Sequence, residues 1–286
     1  MENVVEVKEI VKTYKNFKLN KVSFNIPRNS IVGFIGGNGS GKSTTMKSIL
    51  SLVNVESGSI NIFSKNIKDL TKSERENIGV VLDEVCLPEK LKIRLLDNIF
   101  KGIFKNWDSD TYFKYLKEFN IDPELTSKQL SKGMKVKLNL SIAFSRNVKL
   151  LVLDEPVNGL DPVARDEIDN MLLNFVKKDE NAVFISSHIL SDLEKICDKI
   201  IFIDNGKILF DEKTNDLINM FYIKKVNKDE FYNFNKDEII RYKEFGDIYE
   251  ILLKRDGKTY DILNKPTLED IMIMFTKGKT IWKDYY

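Results

Sequence analysis

Nine consecutive residues, Gly36, Gly37, Asn38, Gly39, Ser40, Gly41, Lys42, Ser43 and Thr44, carry the spacing G-x-x-x-x-G-K-[ST]. Glycines have no Cβ, so backbone N–H groups can turn inward and approach phosphate oxygens closely. In such a loop Lys42 reaches the β- and γ-phosphates of a nucleotide, and the Ser43 hydroxyl is placed to ligate Mg²⁺. A second group follows the apolar run Leu150-Leu151-Val152-Leu153, which delivers Asp154 and Glu155 to its end. Asp154 is placed to hold Mg²⁺ through its water shell, and Glu155 to orient and polarise an attacking water. Acids at a strand end can merely solvate it. Paired with a phosphate loop, they point instead to hydrolysis of a bound nucleotide.

These groups need a scaffold. The apolar run 31–35 predicts a buried strand feeding the loop, and 45–52 the helix after it, whose N-terminus adds partial positive charge. Alternation over 4–11 and 22–26 predicts a pair of half-buried strands, with Tyr14 in the loop between them. Further strands are expected at 60–63, 78–82, 150–153 and 182–186, and a hairpin over 200–210 turned at Asn205-Gly206. Helical spacing marks 95–145, ending in a helix over 132–147, and helices are expected at 163–178 and 190–196. Strands alternating with helices predict an α/β fold with a mixed, mostly parallel sheet covered on both faces. Beyond residue 212 the pattern changes to a small antiparallel sheet (239–242, 248–254, 258–263) and a closing helix over 268–276. The expected division is a nucleotide-binding unit at 1–212, with a helical insertion at about 85–146, and a small α+β appendage at 213–286.

The chain has 286 residues, long enough for one large domain and an appendage. Its 45 basic and 43 acidic side chains leave a net charge of +2, so it lacks the global basic field of a dedicated nucleic-acid binder. Cys86 and Cys197 are its two cysteines and have no metal-ligand spacing, which suits a reducing compartment. The alternating, charged N-terminus does not read as a signal peptide. No apolar run approaches the roughly 20 residues needed to span a bilayer, so direct insertion in a membrane is not expected.

The sequence Leu130-Ser131-Lys132-Gly133-Met134, a short distance before the acidic strand, resembles the Leu-Ser-Gly-Gly-Gln signature of the ATP-binding cassette (ABC) ATPases. With the phosphate loop and Asp154-Glu155 the resemblance covers about residues 4–212. It implies a P-loop ABC fold with an antiparallel N-terminal β subdomain and a helical insertion, and ATP and Mg²⁺ as cofactors. It also implies that Ser131, Lys132 and Gly133 at a helix tip cap the γ-phosphate of ATP bound to the opposite subunit, so that the site is completed by dimerisation. By the same resemblance Tyr14 is the aromatic that stacks on adenine, Asp161 in Asn158-Gly159-Leu160-Asp161 belongs to the loop that touches the partner subunit, and His188, the single histidine, is the switch residue that hydrogen-bonds the γ-phosphate.

The chain departs from the family pattern at three positions. Asp83 stands where a glutamine usually meets Mg²⁺; it is an anionic oxygen donor one methylene shorter, with Glu84 as its rival. In the signature, Lys132 replaces a glycine and Met134 a glutamine. Lys132 either points to solvent or brings extra positive charge beside the γ-phosphate. Leu-Ser-Lys-Gly-Met is similar to a branch serving bacterial exporters of peptides, antibiotics and lipids. That implies the motor subunit of an exporter, pairing with an identical or related ATPase chain and with a separate membrane permease. It would lie in the cytoplasm, peripheral on the inner face of the membrane. The insertion and the loop before it, with Val85, Leu87 and Leu91, would form the permease groove unless those side chains are core. The rival reading is a soluble ABC ATPase acting on nucleic acid or ribosomes. The chain has neither the sustained heptads of the repair relatives nor the length for two cassettes, and Lys128, Lys132, Lys135 and Lys137 lack interleaved aromatics.

Overall fold

The computed structural model describes residues 3–82, 87–178, 180–255 and 265–281. The chain opens with β1 (Asn3–Tyr14) and β2 (Phe17–Pro27), then β3 (Ser30–Ile35), which enters the phosphate loop and α1 (Lys42–Ile49). After β4 (Ser57–Ile62), β5 (Lys65–Asn66), α2 (Lys72–Arg75) and β6 (Ile78–Val81) come the helices of the insertion, α3 (Ile93–Ile103), α4 (Ser109–Glu118) and α5 (Lys132–Phe144). β7 (Leu150–Asp154), α6 (Pro162–Val176), β8 (Ala182–Ser186), α7 (Leu190–Ile196), β9 (Lys199–Asp204) and β10 (Lys207–Lys213) complete the central unit. The remainder is α8 (Thr214–Met220), β11 (Phe221–Asn227), α9 (Lys228–Asn233), β12 (Ile239–Phe245), β13 (Ile248–Lys254) and α10 (Leu268–Lys277).

The central sheet has six strands in the order β10-β9-β3-β8-β7-β6, parallel except for the β9–β10 hairpin at one edge. Its inner strands are apolar throughout because both faces are covered. Alternation sorts the side chains: Ile31, Ile35, Leu151, Leu153, Val183 and Ile185 face the cluster shared with α5, α6, α7 and α10. Val32, Phe34, Val152 and Phe184 face the opposite cluster, with α1 and the antiparallel sheet β2-β1-β4-β5. There the rings of Phe24, Phe34 and Phe184 lie 5.1–5.7 Å apart.

The insertion has its own core of Ile93, Leu96, Tyr112, Leu116, Leu138 and Ile142, with the Tyr112 hydroxyl donating to the Ile93 carbonyl at 3.0 Å. Leu87 and Leu91 pack against that core, so their apolar character is accounted for there; Val85 lies outside the described residues. On α3 the buried stripe is Ile93 and Leu96, whereas Ile99 and Ile103 are 41% and 47% exposed.

Several bounds differ from expectation. The helix after the loop begins at Lys42, three residues early, because Gly41 at φ 116° turns the backbone directly into it and the Thr45 N–H donates to the Gly41 carbonyl at 2.9 Å. Tyr14 is the last residue of β1, paired with Phe17, not a loop residue. The C-terminal sheet is β11-β13-β12: sequence reading found β12 and β13 but missed β11, α8 and α9, and the strand expected at 258–263 falls outside the described residues. One face of this sheet has its own core of Tyr222, Val226, Phe231, Tyr249 and Ile251. Phe221, Leu252, Ile271 and Met274 join the main core instead.

Candidate functional site

Three parallel strands, β3, β7 and β8, end side by side, and their following residues form the site. The phosphate loop leaves β3 with little room to spare. A Cβ on Gly36 would lie 2.3 Å from the Ile203 carbonyl, and one on Gly41 2.7 Å from Leu19 Cδ2 and 2.8 Å from Phe17 Cζ, so both must be glycine. Lys42 is buried, and its ammonium donates to the carbonyls of Gly36 (2.7 Å) and Gly37 (3.2 Å). Burial holds its pKa below the usual lysine value, opposed by Glu155 and Asp154. The Lys42, Ser43 and Thr44 N–H groups lie in the first turn of α1, where no intrahelical acceptor exists. The buried Ser40 hydroxyl likewise has no hydrogen-bond partner. A cation, a helix N-terminus and an unmatched buried hydroxyl around one turn of backbone fit a chain of phosphates.

β7 pairs in register with β8, placing Asp154 opposite Ser186. The Ser186 hydroxyl donates to Asp154 Oδ1 at 2.6 Å, while the Glu155 N–H donates to the Ser186 carbonyl and hydroxyl, each at 3.1 Å. These bonds hold Glu155 in the left-handed region at φ 52°, and its carboxylate then meets His188. Nε2 lies 3.1 Å from Oε1, and the His188 N–H donates to Oε2 at 3.1 Å. Burial raises the Glu155 pKa, and His188 and Lys42 oppose the rise. A carboxylate biased toward the neutral form, beside an imidazole, can accept a proton from water. Ser186 was missed in the sequence; as the last residue of an apolar strand, next to another serine, it gave no signal of its own.

Tyr14 is 44% exposed at the end of β1, its ring centroid 6.4 Å from that of Phe17, the side chain against Gly41. An open ring joined to the loop through Phe17 can present a face to a base. Ser131 caps α5, its hydroxyl accepting the Met134 N–H at 3.2 Å, and neither it nor Gly133 hydrogen-bonds to its own phosphate loop. Instead the tip of α5 meets the loop at 158–161. A Cβ on Gly133 would touch Leu160 at 3.6 Å and Ala164 at 3.7 Å, and one on Gly159 would lie 3.8 Å from Lys132 Cδ and Nζ. Lys132 therefore lies over Gly159. Asp161 caps α6, accepting the Val163 and Ala164 N–H groups at 3.0 Å; the bond from Ala164 does most to hold its carboxyl below the usual range. The expected metal ligands divide. Asp154 is in the site and Ser43 follows Lys42 on the open side of the loop, but Asp83 and its rival Glu84 lie outside the described residues.

The geometry has counterparts in known proteins. The ABC transporter family profile matches residues 19–158. A bacitracin transport ATP-binding protein of Bacillus licheniformis is 30% identical over 266 residues, covering 90% of this chain and 84% of the relative. A lantibiotic transport ATP-binding protein of Streptococcus pyogenes is 36% identical over 215 residues, covering 73% of this chain and 91% of its own. A solved ATP-binding subunit of an ABC transporter superposes with a TM-score of 0.68 at 27% identity, covering 76% of this chain and 92% of that one. Among the described residues no helix is long and apolar enough to cross a membrane. The chain belongs to the ABC transporter family, as an ATP-binding and ATP-hydrolysing subunit.

Proposed function

We propose that this subunit drives export of a peptide or antibiotic, dimerising around ATP with an identical or related chain. The observation that carries the export reading is the likeness over most of the chain to relatives named for bacitracin and lantibiotic transport, together with the Leu130–Met134 signature. Residues 1–212 are the nucleotide-binding unit, with the insertion at about 85–146, and 213–286 the appended unit. Residues 36–44 grip the triphosphate, Tyr14 stacks on the base, Glu155 is the base that activates water, and His188 is the switch at the γ-phosphate. Ser131, Lys132 and Gly133 close the partner's nucleotide, and Asp161 steadies the loop between the copies. The donor set suits Mg²⁺: the Ser43 hydroxyl and the Asp154 carboxylate are hard oxygens and would hold it. The chemistry it would supply is neutralisation of charge on the β- and γ-phosphates.

The permease meets the outer face of α3, where exposed Ile99 and Ile103 are one turn apart. The chain then sits on the inner face of the cell membrane through that contact. The test is capture from detergent-solubilised membranes, with ATP and the Glu155→Gln variant as bait. A polytopic membrane protein recovered in proportion to the bait, and lost on Ile103→Glu, is the expected result. Recovery of ribosomes or nucleic acid instead would favour the soluble alternative.

A further inference from the structure

His188 is the middle residue of the three-residue link between β8 and α7, and within it the Ile189 N–H is tied to the Ser187 hydroxyl at 3.0 Å. So short a link leaves the histidine little slack, and its position follows that of α7. This helix has only seven residues and no side-chain cap, too short to hold itself in place by its own hydrogen bonds. Its location is set from outside.

Its apolar side, Leu190, Leu193 and Ile196, enters the main core beside Leu268, Ile271 and Met274 of α10. Two polar contacts then fix its rotation and height. Asp192, 8% exposed, accepts from Arg165 Nη1 at 3.1 Å, and Arg165 stands in the first turn of α6, directly after Asp161 and the loop that meets the α5 tip. From the appendage, the Leu268 N–H at the start of α10 donates to Glu194 Oε2 at 2.9 Å. A ten-residue helix presents unmatched N–H groups and the positive end of its dipole there, so a carboxylate is well matched to it.

We infer that Glu194 and Asp192 are positioning residues for hydrolysis: by tying α7 to α10 on one flank and to Arg165 on the other, they set where His188 meets Glu155. The C-terminal unit thus acts on the hydrolytic step without touching nucleotide. The inference rests on the role proposed above for His188.

The experiment compares the full-length chain with Glu194→Ala, Glu194→Gln, His188→Ala and the Glu194→Ala/His188→Ala pair, measuring kcat for ATP hydrolysis, equilibrium ATP binding and Tm. Glu194→Ala should lower kcat about 10-fold, the order expected for a sub-ångström displacement of a reacting group, with ATP affinity unchanged within about 2-fold. Glu194→Gln, whose amide oxygen still accepts the Leu268 N–H, should restore most of the rate. In the His188→Ala background the Glu194→Ala change should have no further effect on kcat, since the two act through one contact. A loss of the same size in both backgrounds, or a fall in Tm with kcat intact, overturns the inference. If His188→Ala alone leaves kcat unchanged, the assignment of the histidine fails, and the inference falls with it through that arm alone.

Discussion

The ends of β3, β7 and β8 and the sheet β11-β13-β12 are both β-structure against the same core, yet they are specified differently. In the central sheet the strands β3, β7 and β8 are buried on two faces, and the backbone beyond them is fixed by local chemistry: Gly36 and Gly41 because nothing larger fits, Glu155 because Ser186 takes its N–H. The C-terminal sheet is fixed by what it rests on. Phe221 and Phe275 pack among Phe202 and Phe210, with Phe210 and Phe275 ring centroids 4.8 Å apart. Substitutions in the first region should therefore alter chemistry more than stability, and in the second stability more than chemistry.

The sharpest way to break that contrast is Glu155→Gln. It should reduce hydrolysis by about 10²-fold or more, the usual worth of a positioned base, while ATP binding persists in an equilibrium assay; normal turnover would mean that another group activates water. At the seam of the appendage, Phe275→Ala should cost about 3 kcal/mol in denaturant unfolding and leave ATP affinity within about 2-fold. A drop in affinity there would join the two regions energetically. Lys42→Ala should weaken ATP binding by about 10- to 100-fold, as loss of a charge-assisted contact does, with Tm little changed because the buried ammonium already meets a desolvation cost. Unimpaired binding would undo the loop assignment.

The smallest effect concerns Asp169 on α6, whose carboxyl is pushed up to about 6 by burial, then by Asp192 and Asp166, against the pull of Lys195 and Arg165. A folded-state pKa above the unfolded one means that the native state binds the proton more tightly. Stability from this group is therefore full below the ordinary aspartate range and is lost as pH rises through about 6. Asp169→Asn should raise unfolding stability by about 1 kcal/mol at pH 7.5, a figure reduced for partial exposure, and leave it unchanged near pH 4. A gain independent of pH would assign the effect to packing.

The contrast also explains what could be read from the chain. Gly36 to Thr44, Asp154 and Glu155 were legible because phosphate and water impose residue types at fixed spacing. β8, α7 and β13 were located to the residue because apolar runs bounded by polar turns have one reading. Ile99 and Ile103 fit a helical stripe equally well, but two neighbouring stripes on α3 are apolar and packing chose the one through Leu96. β11 was invisible because Lys224 and Lys225 interrupt its alternation, and α8 and α9 are too short to show a period. Asp192, Glu194 and Ser186 look like ordinary surface or strand-end polar residues until their partners, up to 74 positions away, are in place.

The left-handed backbone at Glu155 has an evolutionary consequence. A side chain with a Cβ is held there at a cost of about 1 kcal/mol that glycine would not incur, and its half-buried carboxyl adds a desolvation penalty. Glu155→Gly should thus make a more heat-resistant protein that no longer turns over. Selection on durability alone would remove this residue; only a demand for work would keep it.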